Sequence, residues 1–518
     1  MNTACEQDEV VAFLSSPAAH DGLDPGAEVT RIDTHLSHVF IAGARVYKVK
    51  RAVRYDFVDF STLEARRAAC ENEVRVNRRT APDMYLRAAP LYRAGRGLSW
   101  RGEAGAPVVE WAVVMARFER EDQFDVMASA GRLDVRTVEA LADRVAAFHC
   151  DAARKPAPRP GAAVPAILDE LADGMASGAL APSRGGDIRR WRAAAGRAAA
   201  NAARYIAARR RHGWVRECHG DLHLGNICLF HGAPTPFDAI EFNADLSDID
   251  VLYDIGFTLM DFLRHDRRDL ANAFLNRYLS ETRDYAGLRL LALYISMRAG
   301  VRAMVSSLPG QPPDAAARAD GYLDLALNML APPPPASLVC VGGYSATGKS
   351  TLAARLALAS GGATGAVVLR SDVIRKRLAG VAPETPLPPA AYAAEATAAA
   401  YARMLKDARR ALRAGAPVIL DATFLDPAER KGASALAARA GVSFRGLWLT
   451  APKSVLAARI VRRRGDASDA DLGVLERQFE RPAMIDDDRD RDWRAVDASG
   501  PPEAVLDEAV SQLQGECP

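Results

Sequence analysis

The chain has 518 residues, 49% of them hydrophobic and 25% charged, with a formal net charge of +2. That length exceeds what a single core organises, so two or more domains are expected. The near-neutral balance gives no bulk electrostatic case for nucleic acid or a membrane surface, and no run of about eighteen apolar residues is present to span a bilayer. Seven cysteines are scattered without a C-x-x-C pair, the usage of a reducing cytoplasm rather than of a disulfide scaffold or structural zinc site.

The first residues, MNTACEQDEVVAFL, carry acids where a signal peptide needs a basic region and an apolar core. Residues 1–29 therefore read as an N-terminal extension of a cytoplasmic protein. Further on, His38–Ile41 and Arg45–Val49 alternate around Gly43 like a hairpin. In VYKVK, Lys48 shares a face with Val46 and Lys50. A helix is expected over Thr62–Arg79, carrying Glu71 and Glu73, and Glu73 is the better placed to meet Lys48. The plain alternative is a surface ion pair. No well-formed glycine-rich loop accompanies this hairpin, and Gly43 stands alone. Val113–Phe118 reads as a strand, the Pro-rich Lys155–Pro165 as a loop, and the Ala/Arg-rich Ile188–Arg211 as a helix with a solvated basic end.

His219–Asn226, HGDLHLGN, is the strongest motif of the first half. An aspartate followed five positions later by an asparagine is the spacing of a kinase catalytic loop. Asp221 would orient and deprotonate an acceptor hydroxyl, and Asn226 would coordinate Mg²⁺. His219 and His223 are four apart, but without a third ligand they read as structural. A strand over Asn226–Phe230 and a hairpin at His231–Thr235 follow, then Phe237–Phe242, FDAIEF. Glu241 is the better placed as a metal ligand there, reaching one methylene further than an aspartate would, and Asp238 is the alternative.

HGDLHLGN closely resembles the loop of the aminoglycoside and choline phosphotransferases. The resemblance covers roughly residues 30–330 and implies a protein-kinase-like fold. It gives Lys48 the role of the lysine on ATP phosphates and Glu73 that of its helical partner. Val113–Phe118 becomes the hinge strand, Phe148-His149 lies on the helix before the loop, and Asp250 and Asp254 brace the loop. The chain departs from that family in having FDAIEF where an Ile-Asp-Trp-like metal site is usual.

Ala331–Pro335, APPPP, is a stiff linker that cannot continue a helix. It follows a helix over Gly321–Met329 and sets a boundary at 331–336. The apolar Ala336–Val341 then runs into GYSATGKS at 343–350, which fills G-x-x-x-x-G-K-[ST] completely. Gly343, Ser345, Ala346, Thr347 and Gly348 would wrap phosphates with backbone N–H groups. Lys349 would reach the β/γ-phosphates, Ser350 would hold Mg²⁺, and Thr351 would open the following helix. Strands over Gly365–Leu369, Val418–Leu420 and Phe444–Leu449 alternate with helices, as in an α/β fold with a parallel sheet. Asp372 and Asp421 stand at the carboxyl ends of two strands, where such sheets bind ligands. Asp421 is placed like a Walker-B acid, and Asp372, followed by Arg375, like an acceptor-side base; strand-end caps are the alternative. Arg459, Arg462, Arg463 and Arg464 form either a lid over ATP or a plain basic helix.

GYSATGKST, LRSDVIRKRL, VILDATF and the arginine segment resemble the P-loop small-molecule kinases, the group of gluconate kinase, zeta-toxin kinases and polynucleotide kinase. The whole chain resembles a bacterial fusion of an aminoglycoside-phosphotransferase-like domain with a P-loop kinase. That implies a protein-kinase-like α+β bilobal domain at 30–330 and an α/β P-loop domain with a parallel sheet at 337–518, ending in a helix over 501–518. It also implies a bifunctional, ATP- and Mg²⁺-dependent phosphotransferase acting on a hydroxyl of a small molecule. Asp221 would be the base in one domain and Asp372 or Asp421 in the other. Two alternatives stay open: a P-loop enzyme regulated by a non-catalytic first domain, and a nucleotide or nucleic-acid end kinase, against which the net charge counts.

Overall fold

In the computed structural model, the residues described are 3–20, 22–55, 58–155, 163–308, 314–462, 467–480 and 491–514. The chain forms two compact units, each discontinuous in sequence. The first comprises Met1–Arg192, Ala199–Asp261 and Arg298–Ala319; the second comprises Ala193–Ala198, Phe262–Met297 and Asp320–Pro518.

The first unit has a small lobe built on an antiparallel sheet. Its strands are β1 (Thr30–Asp33), β2 (Ser37–Ala42), β3 (Arg45–Lys50), β6 (Tyr85–Ala94), β7 (Gly97–Ser99) and β8 (Val108–Ala116), in the order β1-β2-β3-β8-β6-β7; a separate two-stranded ribbon pairs β4 (Arg54–Tyr55) with β5 (Val58–Asp59). The helix Thr3–Leu14 covers one face, where Val10 and Leu14 meet Phe40, Val49, Leu91 and Ala112. The helix Leu63–Asn77 packs through Cys70 and Val74 against Tyr85, Val113 and Met115. Thr62 caps that helix, accepting the Ala65 N–H at 3.1 Å. Period-two alternation puts Lys48 and Lys50 together on the face that meets this helix.

The larger lobe is mostly helical. Asp134 caps the helix Val135–Asp151 by accepting the Thr137 N–H at 2.7 Å. Two small pairs, β9 (Val215–Glu217) with β12 (Asp248–Asp250) and β10 (Ile227–Phe230) with β11 (Ala233–Pro236), frame the His219–Asn226 segment. The turn between β10 and β11 is two residues long, and both His231 and Gly232 have positive φ, as a tight hairpin of this twist requires. The unit thus has the α+β, two-lobed architecture expected, a sheet lobe followed by a helical one. Residues 156–162 of the Pro-rich loop lie outside the described residues.

The second unit is a P-loop α/β fold. Five parallel strands, β13 (Ser337–Gly343), β14 (Val367–Arg370), β15 (Val418–Asp421), β16 (Ser443–Thr450) and β17 (Trp493–Asp497), run in the order β14-β15-β13-β16-β17. The last of these was not foreseen from sequence; it is short and follows residues dense in Asp and Arg. The helices Lys349–Ser360 and Pro502–Gln514 bury Leu352, Leu356, Val505 and Ala509 against Val339, Val341, Leu447, Leu449 and Val496. Leading β13 into the centre of the sheet places the phosphate loop at the strands' carboxyl ends.

The edge strand β14 is closed by side chains of the helix Arg268–Thr282. Asn276 accepts the Val368 N–H at 2.7 Å and donates to Ala366 O at 3.3 Å, while Asn272 donates to Thr364 O and Ala366 O at 2.8 and 3.0 Å. Each carboxamide thus supplies what a sixth strand would. Replacing Asn276 by Ala is expected to lower stability by about 1–3 kcal/mol, the cost of a deprived backbone donor. Urea denaturation would measure it, with faster amide exchange at Val368 as the local signature.

Candidate active sites

In the first unit the His219–Asn226 loop is held from beneath by one helix. Val251–Arg264 presents Asp254, Thr258 and Asp261 at i, i+4 and i+7, a single helical face. Asp254, fully buried, accepts the N–H groups of His219 and Gly220 at 3.0 and 2.9 Å and the His149 Nε2–H at 3.1 Å. Thr258 Oγ1 donates to Leu222 O at 2.6 Å, and Asp261 accepts the Leu224 N–H at 2.9 Å. Burial alone would raise the Asp254 carboxyl, but the His149 hydrogen bond and charge, with His219 and Arg298, bring it below its ordinary value. Gly220 sits at φ +86°, and a Cβ there would lie 2.8 Å from Leu246 O, so only glycine turns the loop at this point. Asp250 is buried in a two-pronged pair with Arg209, at 2.5 and 2.8 Å.

On that support Asn226 Nδ2 donates to Asp221 at both Oδ2 (2.9 Å) and the backbone O (3.0 Å), and His223 Nε2 lies 3.4 Å from Oδ2. Burial pushes the Asp221 carboxyl up, but His223, His219 and Arg302 together draw it well below the carboxylate range. For His223 burial acts downward and Asp221 upward, and Asp221 wins. His219 is different. It is buried with its Nε2 on Phe237 O at 2.9 Å, and desolvation leaves its pKa lowered.

The small lobe contributes a chain of charges. Lys48 Nζ lies 2.9 Å from Glu73 Oε1 and 2.6 Å from Asp238 Oδ1, and Lys50 Nζ lies 2.6 Å from Glu73 Oε2 and pairs closely with Glu241. Glu73 is wholly buried between the two ammonium groups. The Asp238 side chain is 44% exposed and that of Glu241 only 4%. Burial and the neighbouring Glu73 push the Glu241 carboxyl up. Asp238 has φ +60°, with its N–H on the Tyr85 hydroxyl at 3.1 Å. Asn72 Nδ2 donates to Glu241 O at 2.6 Å, and Asn77 accepts the Ala239 N–H at 2.8 Å, tying the helix to the FDAIEF segment. A cavity of about 990 Å³ opens beside the network, lined in part by Tyr55, Phe60, Asn72, Glu241 and Phe242.

In the second unit the phosphate loop winds through Gly343 (φ +134°), Ala346 (φ +63°) and Gly348 (φ +94°). A Cβ on Gly343 would meet Leu449 O at 2.5 Å. Lys349 Nζ donates to Tyr344 O at 2.6 Å, Thr347 Oγ1 to the same oxygen at 2.9 Å, and Ser350 Oγ to Asp421 Oδ2 at 2.6 Å. Arg370 Nε stands 3.2 Å from the same Asp421 oxygen. Gln478 grips Ser345 twice, accepting its N–H at 2.9 Å and donating to its Oγ at 3.1 Å, while Phe479 stacks on Tyr344. Asp372, opening the helix Ser371–Leu378, is raised by burial and by Asp421, against the pull of Arg370, Lys349 and a Ser468 hydrogen bond. Thr351 is exposed on the helix Lys349–Ser360. Arg459 donates to Thr347 O at 3.3 Å and Ala498 O at 2.8 Å, whereas Arg463 and Arg464 lie outside the described residues.

The oxygen-only donor sets suit a hard cation such as Mg²⁺. In the second unit Ser350 and Asp421 are in contact, and in the first Asn226 and Asp238 are the candidate donors. Sequence reasoning missed Thr258, Asp261, Arg370 and Gln478. The i, i+4, i+7 spacing of Asp254, Thr258 and Asp261 was the available signal for the first two; Gln478 left none, lying 133 residues from Ser345.

The uncharacterized protein Rv2004c of Mycobacterium tuberculosis strain H37Rv is 32% identical over 497 residues, 92% of this chain and 94% of that one. The chain belongs to that protein's family. A family model described as an AAA domain matches residues 338–483. Among solved structures, a choline/ethanolamine kinase family protein from Mesorhizobium loti is similar at 14% identity, covering 63% of this chain and 95% of that chain, with a TM-score of 0.40. A gluconokinase from Sinorhizobium meliloti 1021 is similar at 24% identity, covering 35% and 92%, with a TM-score of 0.25. This family member thus carries its AAA-domain match within the second unit.

The Asp221–His223 pair has a measurable signature. His223 is expected to titrate above the ordinary histidine value of about 6.5, and Asp221→Asn to bring it below, because burial and Arg302 then outweigh the remaining pull of Asp261. The pair stabilises the fold below about pH 6.5 and loses that contribution as pH rises through the raised His223 value. Histidine Cε1 shifts in ¹³C NMR, assigned with His223→Gln, would follow both changes.

Proposed function

We propose that the chain is an ATP- and Mg²⁺-dependent phosphotransferase with two active sites, each transferring a phosphoryl group to a hydroxyl of a small molecule. The observation that carries this reading is the joining, in the first unit, of Lys48, Glu73 and Asp238 in one ion-pair chain alongside an Asp221–Asn226 hydrogen bond. Lys48 would contact phosphates, Glu73 would hold Lys48, and Asn226 with Asp238 would hold the metal. Glu241, committed to Lys50, is left a supporting role. Bound Mg²⁺ would supply charge neutralisation on the phosphates.

The two acceptor-side carboxylates are tuned differently. Asp221, held ionised, orients the hydroxyl and accepts its proton late, when the oxygen has become acidic. Asp372, pushed up by burial and Asp421, is the stronger base. In the second unit Lys349 and the loop N–H groups would hold the phosphates, with Ser350 and Asp421 on the metal. Among the described residues no helix is long and apolar enough to cross a membrane. Small cytoplasmic metabolites are the acceptors proposed.

Transfer from γ-labelled ATP into a metabolite extract tests the reading. Asp221→Ala and Lys349→Ala are each expected to remove a different labelled product, or both to remove one, with losses of about 10³-fold or more. If Asp221→Ala leaves every product intact, the first unit is not a catalyst.

A further inference from the structure

Residues 467–471 lead into the helix Leu472–Glu480, and the segment is fastened near both ends. Asp469 accepts Lys376 Nζ at 2.7 Å on one carboxylate oxygen. On the other it accepts the Leu387 N–H at 2.9 Å and the Tyr392 hydroxyl at 2.6 Å. Lys376 is wholly buried and donates also to Thr385 O at 2.6 Å. At the far end Gln478 and Phe479 hold the phosphate loop. A carboxylate shared by three donors, one a buried ammonium, is a firm anchor for its chain neighbours. Asp372 stands four residues before Lys376 on the helix Ser371–Leu378, one turn away on the same face. Ser468, next to the anchor, donates its hydroxyl to the Asp372 carboxylate. That carboxylate lies within electrostatic reach of Lys349 and of Asp421, the partner of Ser350. A hydroxyl of the chain itself thus stands at the acceptor-side carboxylate, beside the loop that would hold the phosphates.

We propose that Ser468 is a phosphorylation site of the chain itself, modified from the second unit's ATP while no acceptor occupies Asp372. The inference rests on the kinase reading of that unit and adds an internal acceptor to it. Ser468 Oγ forms a bond to the γ-phosphorus as the bond from that phosphorus to the β,γ-bridging oxygen breaks. The hydroxyl proton passes to Asp372, and ADP leaves with the electron pair of the broken bond. A tethered hydroxyl reacts at an effective concentration well above that of a free metabolite. The phosphoserine would stand beside Asp372 and Asp421, where its negative charge is repelled and its bulk fills the acceptor's place. Modification therefore switches the second site off until the phosphate is removed.

The test uses the full chain, treated with a phosphatase that is then removed, and γ-labelled ATP with Mg²⁺ but no acceptor. Wild type is expected to take up label on Ser468, located by peptide mass spectrometry. The rate per chain should not depend on protein concentration. Asp372→Asn should slow the labelling about 10²-fold or more, and Lys349→Ala should abolish it. MgADP binding checks that Asp372→Asn is folded; if it is not, the wild-type mapping and Lys349→Ala decide. Label on Ser468 that persists in Lys349→Ala, or at full rate in folded Asp372→Asn, overturns the inference, as does a rate that rises with protein concentration. A Ser468 that stays unlabelled while Lys349-dependent transfer into a metabolite extract proceeds overturns it too, and leaves the kinase reading intact. Faster ATP hydrolysis in Ser468→Ala would then make the hydroxyl a plug against water. Absence of any Lys349-dependent transfer overturns both.

Discussion

The position of Asp221 depends on one buried carboxylate. A loop that turns as sharply as His219–Asn226 exposes backbone N–H groups that no strand or helix satisfies, and leaving them bare inside the protein would cost more than the turn can bear. Asp254 takes two of them and His149 besides, so its charge is spread over three donors. Thr258 and Asp261 extend the same device along the helix. Everything that gives Asp221 its chemistry follows from this: the amide of Asn226 at its oxygen, His223 at its flank, and a carboxyl kept ionised.

The second unit meets the same need by other means. There the phosphate loop is shaped by left-handed backbone at Ala346 and Gly348 and by glycine at the close approach to Leu449. Asp421, at the end of a central strand, receives Ser350 and Arg370 together. Gln478 fastens the outside of the loop. The two units therefore hold their motif loops by different means, the first by helix side chains and the second by strand ends and a helix N-terminus. They also set Asp221 and Asp372 in opposite directions: burial raises both carboxyls, but at Asp221 the neighbouring His223, His219 and Arg302 outweigh it, whereas at Asp372 the nearby Asp421 adds to it.

Much of this was legible in the chain. The strand–loop–helix around Lys349 and the order Lys48, Glu73, Asp221, Asn226 were visible because each motif is local or fixed by secondary-structure period. The β2–β3 hairpin and the helix carrying Glu73 lie within a few residues of their expected bounds for the same reason. What stayed hidden was tertiary. FDAIEF offers two carboxylates whose environments differ only after folding, when Lys50 claims Glu241 and Lys48 meets Asp238. The grouping of residues 262–297 with the second unit was equally invisible, since Asn272 and Asn276 reveal their role only once β14 presents an open edge. Strand β17 was missed because its five residues carry too little pattern to separate from a loop.

The central claim is that one chain holds two separate nucleotide sites. Calorimetric titration of the full chain with MgADP tests it most directly, because it needs no knowledge of the acceptor. The account expects two sites per chain, with Lys48→Met removing one and Lys349→Met the other. A single site, or two sites of which neither depends on Lys48, would contradict it.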